Sequence, residues 1–469
     1  MKYSTGVSRR SFFHTALAGA AGAAIVPRLA GSKETPVASS ANRFLEAAHE
    51  LPLHADADVI ICGAGPAGCA AAVAAARAGA RTRLFEVHGC LGGVWTAGLL
   101  TYVFDFNHPG LTQELIRELD ARDARRSANP QRFVYEPEAM KLLLEEVCSA
   151  AGVKIQLHTR VAAAECDGRR LSTIITESKS GREAWSAPVF IDATGDGDLG
   201  AQAGCGWDIG EGKEQNCGCQ PMTLNALAVV RDAEAISKYI SFFKGDDWDQ
   251  HLPAVEAFKG ELRRAGLEAS YGSPTLFRVR DNLLLVMINH EYGVKPYNSA
   301  EMTAATLEGR AEVFRIVRGL NKLGGPWAGI QVAATAEQIG VRDGRRIHGR
   351  YTITREDLVN GSRHSDAVTR VFFGADIHAI TKKKNEVEAI GHGGLKTQPY
   401  DIPLRALIAK DVDGLLMAGR CISGDFTAHA SYRVTGDAVA MGEAAGKVAA
   451  FAARTHRQPH EINWSEIAG

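Results

Sequence analysis

Gly63-Ala64-Gly65-Pro66-Ala67-Gly68 has the residue types and spacing that let a backbone hold a pyrophosphate. Gly63 permits a tight strand-to-helix turn, Gly65 lets the chain approach phosphate oxygens, and Gly68 lets the next helix pack on the sheet. Pro66 and Ala67 begin that helix, whose first N–H groups and partial positive charge face the phosphates. Ahead of it, Asp58-Val59-Ile60-Ile61-Cys62 reads as a buried parallel strand; behind it, the Ala-rich run from Cys69 to Ala78 reads as the helix, ended by Gly79. Thr82-Arg83-Leu84-Phe85 is a second strand. Glu86, eighteen residues after Gly68, stands where a carboxylate accepts hydrogen bonds from an adenosine ribose and repels a 2′-phosphate. A lone G-x-G-x-x-G is weak evidence, but strand, turn, helix and terminal acid in one ~30-residue unit are strong. An adenine dinucleotide other than NADP is the expected ligand.

Three later segments bear on which dinucleotide. His88-Gly89-Cys90-Leu91-Gly92-Gly93-Val94-Trp95-Thr96 follows the ribose acid at once. The apolar run Val189-Phe190-Ile191 ends in Asp192-Ala193-Thr194-Gly195-Asp196-Gly197-Asp198. Near the C-terminus, Leu415-Leu416-Met417 meets Ala418-Gly419-Arg420-Cys421-Ile422-Ser423-Gly424-Asp425, and Arg433-Val434-Thr435-Gly436-Asp437 opens an Ala-rich helix. An acid leading into a Gly-Gly pair resembles the glutathione-reductase-type superfamily. E-x-x-G-x-L-G-G, I-D-A-T-G-D-G-D and A-G-R-x-I-S together resemble the bacterial FAD-dependent oxidoreductase family, which is likened to fumarate reductase flavoproteins and the heterodisulfide reductase flavin subunit. The resemblance runs from about residue 57 to about residue 455. It implies FAD, held by Gly63, Gly65, Pro66, Ala67, Gly68 and Glu86 together with Gly92, Gly93, Thr96, Val161, Thr194, Gly195, Asp196, Gly419, Asp425 and Asp437. It also implies that the helix after Arg433 aims its N-terminus at the flavin edge where negative charge collects on reduction.

The middle of the chain has no second dinucleotide fingerprint, which argues against a pyridine-nucleotide disulfide reductase. Gly340-Val341-Arg342-Asp343-Gly344-Arg345-Arg346-Ile347-His348-Gly349 resembles the family's G-x-R-x-x-R-R-I-x-G element, and Asp376-Ile377-His378 its D-x-H element. Arg433, Arg342 and His378 are the expected catalytic residues. The arginines are suited to a carboxylate or enolate-like oxygen, and the histidine to proton transfer. Arg345 and Arg346 fit structural ion pairs better than catalysis, and His392 a structural role. His88 and Cys90 are read as packing beside the cofactor, with covalent attachment, through Cys90 first, the alternative. Nine scattered cysteines without a C-x-x-C give no zinc or iron–sulfur frame, and no metal is expected. Cys217-Gly218-Cys219 reads as buried thiols rather than a redox pair.

The elements that must position these groups suggest an α/β fold. It would be a Rossmann-like FAD-binding domain of glutathione-reductase type, interrupted by an α+β substrate domain. Pro137 to Val147 reads as an amphipathic helix and 153–157 as a strand. Segments near 161–166 and 171–176 read as a hairpin, 282–289 as an apolar strand and 299–323 as a long helix. Ser8-Arg9-Arg10-Ser11 before the apolar run 16–26 resembles a twin-arginine export signal, and the run is too short to span a membrane. The expected organisation is a signal at 1–31, a linker at 32–54, FAD-binding parts at 55–205 and 396–456, the inserted domain at 206–395 and a tail at 457–469. With 53 basic against 54 acidic residues among 469, nucleic acid is a poor partner. The expected protein is an exported FAD enzyme that moves a hydride between flavin N5 and a small organic substrate, with an unassigned electron acceptor and no membrane span in the mature chain. A monooxygenase and an electron-transfer flavoprotein serving a protein partner are the alternatives.

Overall fold

All four residues of Val59–Cys62 (β1) are buried. A strand can be apolar throughout only where both faces of its sheet are covered. The computed structural model describes residues 44, 46–127, 129–212, 217–243 and 248–467, and it supplies that cover. Pro66–Arg77 (α1), Thr82–Phe85 (β2), Leu111–Ala121 (α2), Pro137–Ala150 (α3) and Lys154–Gln156 (β3) follow in turn. Arg160–Asp167 (β4), Arg170–Ser178 (β5) and Gly181–Ser186 (β6) form an antiparallel meander, so the expected hairpin gains a third strand. That strand is mostly polar and is recruited by Trp185, which packs on Phe85. Leu53–His54 pairs in parallel with it, so the last residues of the expected linker belong to a sheet.

Val189–Asp192 (β7) returns to the parallel sheet. The middle of the chain builds a separate antiparallel sheet from Ala226–Val229 (β8), Thr275–Arg280 (β9), Leu283–Met287 (β10) and Gln331–Thr335 (β11), in the order β9-β10-β8-β11. His251–Arg264 (α4) and Ser299–Leu323 (α5) accompany it. On α5 the buried residues Ala305, Val313, Ile316, Val317 and Leu320 recur at helical spacing. Asn298 caps its start by accepting from Ala300 N and Glu301 N. Phe258, Leu284, Val286, Ile316 and Trp327 share a core distinct from the one around β1.

Leu415–Met417 (β12) completes the parallel sheet, whose order is β12-β7-β1-β2-β3. Phe426–Tyr432 (α6) and Thr435–Thr455 (α7) are the last two α-helices among the described residues. The small residues of α7 have a packing reason. A Cβ at Gly442 would fall 2.1 Å from Ala67 O, and one at Gly446 2.2 Å from Ala71 O, so α7 lies directly on the backbone of α1. From Leu51 onward the chain is one compact unit. The twin-arginine segment lies outside the described residues. Among those described, no helix is long and apolar enough to cross a membrane. Cys217 and Cys219 are joined in a disulfide, which corrects the reading of separate thiols; two cysteines one residue apart are close enough to bond once Gly218, at φ +54°, turns the chain between them.

Candidate functional site

Local backbone geometry builds the first part of the site. Gly63 has φ +93°, and a Cβ on Gly68 would meet Gly63 O at 1.8 Å, so turn and helix can approach only as glycines. At Gly65, the N-cap of α1, no side chain satisfies the first N–H groups and a Cβ would meet nothing within 4 Å. Pro66 and Ala67 form the buried first turn. Glu86 is buried at the end of β2, where Oε2 accepts from Ala64 N (2.7 Å) and Oε1 from His88 N (2.9 Å). Gly92 N donates to Ala64 O (2.7 Å), and Gly93 sits over Gly65. First turn, β2 and Gly-Gly loop are thus one hydrogen-bonded rim around an open helix N-terminus.

Other expected cofactor residues stand in or beyond that rim. The Thr96 hydroxyl donates to Leu91 O, and Val161 O on β4 accepts from the Gln202 amide (3.2 Å). Thr194 donates to Asp192 Oδ1 (2.7 Å) and accepts from Asp198 N (2.9 Å), closing the turn after β7. Gly195 lies against the Arg420 guanidinium, which pairs with Asp196 at 2.7 Å. Burial raises the Asp196 carboxyl, against the pull of Arg420. Gly419 touches Ala67. Asp425 accepts from Ala428 N (2.8 Å) and Arg355 N (2.6 Å), so its carboxylate caps α6. The Asp437 carboxylate turns toward Asp105 and His108, and burial and Asp105 push it well above the usual range. Burial also raises the Cys90 thiol, which leaves little thiolate there.

A second constellation is assembled from distant segments. Arg433 ends α6 and sits one residue before the N-cap of α7. Its Nη2 donates to Gln220 Oε1 (3.3 Å), Asp376 O (2.8 Å) and Asp376 Oδ2 (3.1 Å). Gln220 Oε1 also accepts from His378 N (2.8 Å), and His378 Nε2 lies 3.2 Å from Asp376 Oδ2. Arg342 donates to Pro221 O (2.7 Å) and Thr223 Oγ1 (2.8 Å). Burial and the Arg433 charge hold the Arg342 guanidinium down to about 10, so the two cations feel each other. Burial and Arg342 push His378 down to about 4, and the same causes hold His290 well below its usual value. Although burial raises it, the Asp376 carboxyl is held below the ordinary carboxylate range by His378, Arg433 and Arg342. His290 and Tyr271 stand 5.1 and 5.8 Å from the His378 ring.

Several buried polar atoms in this group have no hydrogen-bond partner: Arg433 Nε, His378 Nδ1, Gln220 Nε2 and His290 Nε2. Such atoms are costly unless a ligand or water satisfies them. Arg345 and Arg346 do otherwise. Arg345 pairs with Asp198 (2.9 Å) and stacks on Trp207 and Tyr297, while Arg346 donates to Gly424 O and Gly210 O. His392 Nδ1 is tied to Ala375 O at 2.8 Å. Sequence reasoning quoted Asp376 within the D-x-H element without giving it a role. It missed Tyr271 and His290, which carry no local signal.

The family model described as FAD dependent oxidoreductase matches residues 58–469. The chain belongs to this family. It is an FAD-dependent oxidoreductase, and its cofactor is FAD. The rim around Gly65 fits that group: it offers free helix N–H groups, space where a Cβ would otherwise sit, and a carboxylate at the end of β2. No curated protein sequence matches the oxidoreductase. Among solved structures it is similar to a geranylgeranyl bacteriochlorophyll reductase-like protein of Thermoplasma acidophilum, at 14% identity over 86% of this chain and 80% of that one, with a TM-score of 0.45. It is also similar to a p-nitrophenol 4-monooxygenase of Pseudomonas putida, at 11% identity over 87% and 83% of the two chains, TM-score 0.46. A myxobacterial chondrochloren halogenase is 12% identical over 88% and 78%, TM-score 0.43.

Proposed function

We propose that this oxidoreductase is an exported dehydrogenase, or in reverse a reductase, acting on a small organic anion. The carrying observation is the convergence of Arg342 and Arg433 on Asp376 and His378, with unsatisfied donors left in the same group. Two guanidinium groups that repel each other are stabilised by a carboxylate seated between them. When bound, FAD supplies a hydride acceptor or donor at its N5. His378 is neutral at pH 7, and with its Nε2–H turned to Asp376 the unpartnered Nδ1 carries the lone pair. It takes the substrate's hydroxyl proton as the C–H bond breaks, and returns it in the opposite direction. Asp376 and Gln220 position the imidazole and Arg433, and touch no reacting atom.

The proposed fold is of glutathione-reductase type, with residues 206–395 as a substrate domain inserted between FAD-binding parts 55–205 and 396–456. The parallel order β12-β7-β1-β2-β3 and the separate middle sheet support that division. In this reading Gly63, Gly65, Gly68, Gly92 and Gly93 hold the pyrophosphate, and Glu86 the ribose. Glu86→Ala should weaken FAD binding by about 1–3 kcal/mol, roughly 5- to 150-fold. Unchanged affinity in a titration of the apoprotein would put the ribose elsewhere.

Substrate class is tested by adding hydroxy acids, sugars and unsaturated acids to holoprotein without oxygen. Bleaching of the flavin by a substrate alone supports the dehydrogenase. Oxygen uptake that requires NAD(P)H turns the assignment to a monooxygenase, and reduction only by a partner protein to an electron carrier. Export rests on Arg9 and Arg10. Arg9→Lys combined with Arg10→Lys should leave FAD-loaded protein in the cytoplasm, and a periplasmic fraction equal to wild type would remove the twin-arginine reading.

A further inference from the structure

We propose that Asp105, His108 and Asp437 form a site for one divalent transition cation of the Zn²⁺ or Mn²⁺ kind, between the segment carrying residues 105–108 and the first turn of α7. All three side chains are buried, with 3%, 4% and 0% of their surface exposed. One ligand atom from each lies within 4.8 Å of the other two. Ligands about 2.1 Å from a common ion stand roughly 3.0–4.2 Å apart. His108 Nε2 and Asp437 Oδ1 are paired at 3.0 Å without hydrogen-bond alignment, and the Asp437 carboxyl lies against that of Asp105, with no backbone or amide donor on either of its oxygens. Two atoms at that distance and out of hydrogen-bond alignment are arranged as neighbouring ligands are.

The surroundings hold these groups in a ligating orientation. Asp105 Oδ2 accepts from Phe372 N (2.7 Å) and Phe373 N (3.1 Å), and Oδ1 from the Gln131 amide. His108 Nδ1 faces Thr369 Oγ1 at 3.4 Å, which leaves Nε2 for the ion. Such outer hydrogen bonds fix the tautomer and orientation of metal ligands. The supporting donors are all uncharged, so two adjacent buried carboxylates need a cation or a shared proton. An imidazole with two carboxylates suits a borderline divalent ion better than Ca²⁺ or Mg²⁺, which take oxygen sets. The frame is tight: a Cβ on Gly436 would fall 2.0 Å from Asp105 O, so this segment is pressed against α7. Asp437 was expected to serve FAD; its carboxylate faces Asp105 and His108.

The test uses untagged, FAD-loaded full chain, grown with zinc and manganese and purified without chelator. Elemental analysis should find near one equivalent of metal per chain, falling at least tenfold in Asp437→Asn and in His108→Gln. Wild type stripped by chelator should take up one equivalent of ZnCl₂ or MnCl₂ by calorimetry, and its Tm should rise. Metal-free wild type that binds neither salt overturns the proposal and leaves a proton shared by the carboxyls. Variants that keep the metal overturn it as well. Should the variants fail to fold, Co²⁺ reloading of wild type decides: visible bands of nitrogen and oxygen ligation support the site, and thiolate bands place the ion at cysteines and end the proposal.

Discussion

Arg342→Ala or Arg433→Ala leaves FAD bound and slows reduction of the flavin by substrate about a hundredfold, close to 2.7 kcal/mol of transition-state stabilisation. Neither guanidinium belongs to the Gly65 rim, so cofactor content should not change. The two substitutions should differ in their side effects. Arg433→Ala also frees Asp376 and Gln220, while Arg342→Ala frees Pro221 O and Thr223. His378 adds a pH signature. A histidine ordinarily titrates near 6.5, and here the folded chain holds it down to about 4. The base must be neutral, so the rate is lost as pH falls through the folded value and is flat above about 6. Rapid mixing into acid buffer reads that limb before the protein unfolds. His378→Asn should remove it and slow the step ~10²- to 10⁴-fold. A limb that persists in the asparagine variant, or wild-type rates in both alanine variants, would place the chemistry elsewhere.

Gly65→Ala should fold as wild type and purify colourless. Its φ of −68° suits alanine, and the added Cβ meets nothing in the protein within 4 Å. The same Cβ would occupy the space through which a pyrophosphate reaches the N–H groups of α1, so FAD affinity should fall by more than a hundredfold, about 3 kcal/mol. Gly68→Ala is the contrast. There the Cβ would collide with Gly63 O, and Gly63 cannot give way, because its N–H is bonded to Phe85 O at 2.9 Å. That variant should lose thermal stability together with cofactor. Circular dichroism, Tm and FAD stoichiometry separate the two cases. A yellow Gly65→Ala protein with unchanged affinity would mean that the phosphates lie away from this turn.

The turn at residues 63–68, the acid at 86 and the elements around them were legible because each depends on its neighbours in sequence. Glycine spacing sets the turn, a continuous apolar run requires a covered strand, and helical spacing on 299–323 yields the helix Ser299–Leu323. Strand Gly181–Ser186 was not legible, since its polar residues are held by pairing with Arg170–Ser178 and by Trp185 on Phe85. The same limit divides the expected site. Arg342, His378 and Arg433 were suspected from residue type, but their joint approach to Asp376 and Gln220 spans more than two hundred residues of chain.

Tertiary structure alone therefore decided several roles. It placed Asp425 at the cap of a helix and Asp437 in a buried acidic cluster, and it supplied the partners of Arg345 and Arg346, which the sequence already read as structural. It also brought Tyr271 and His290 against His378. By itself the sequence determined the turn, the helix start and the terminal acid that are proposed to cradle the dinucleotide, because backbone conformation and near-neighbour spacing are local. The long-range partners of each charge, which decide whether it caps, braces or faces a ligand, follow from packing between distant segments that no period in the sequence records.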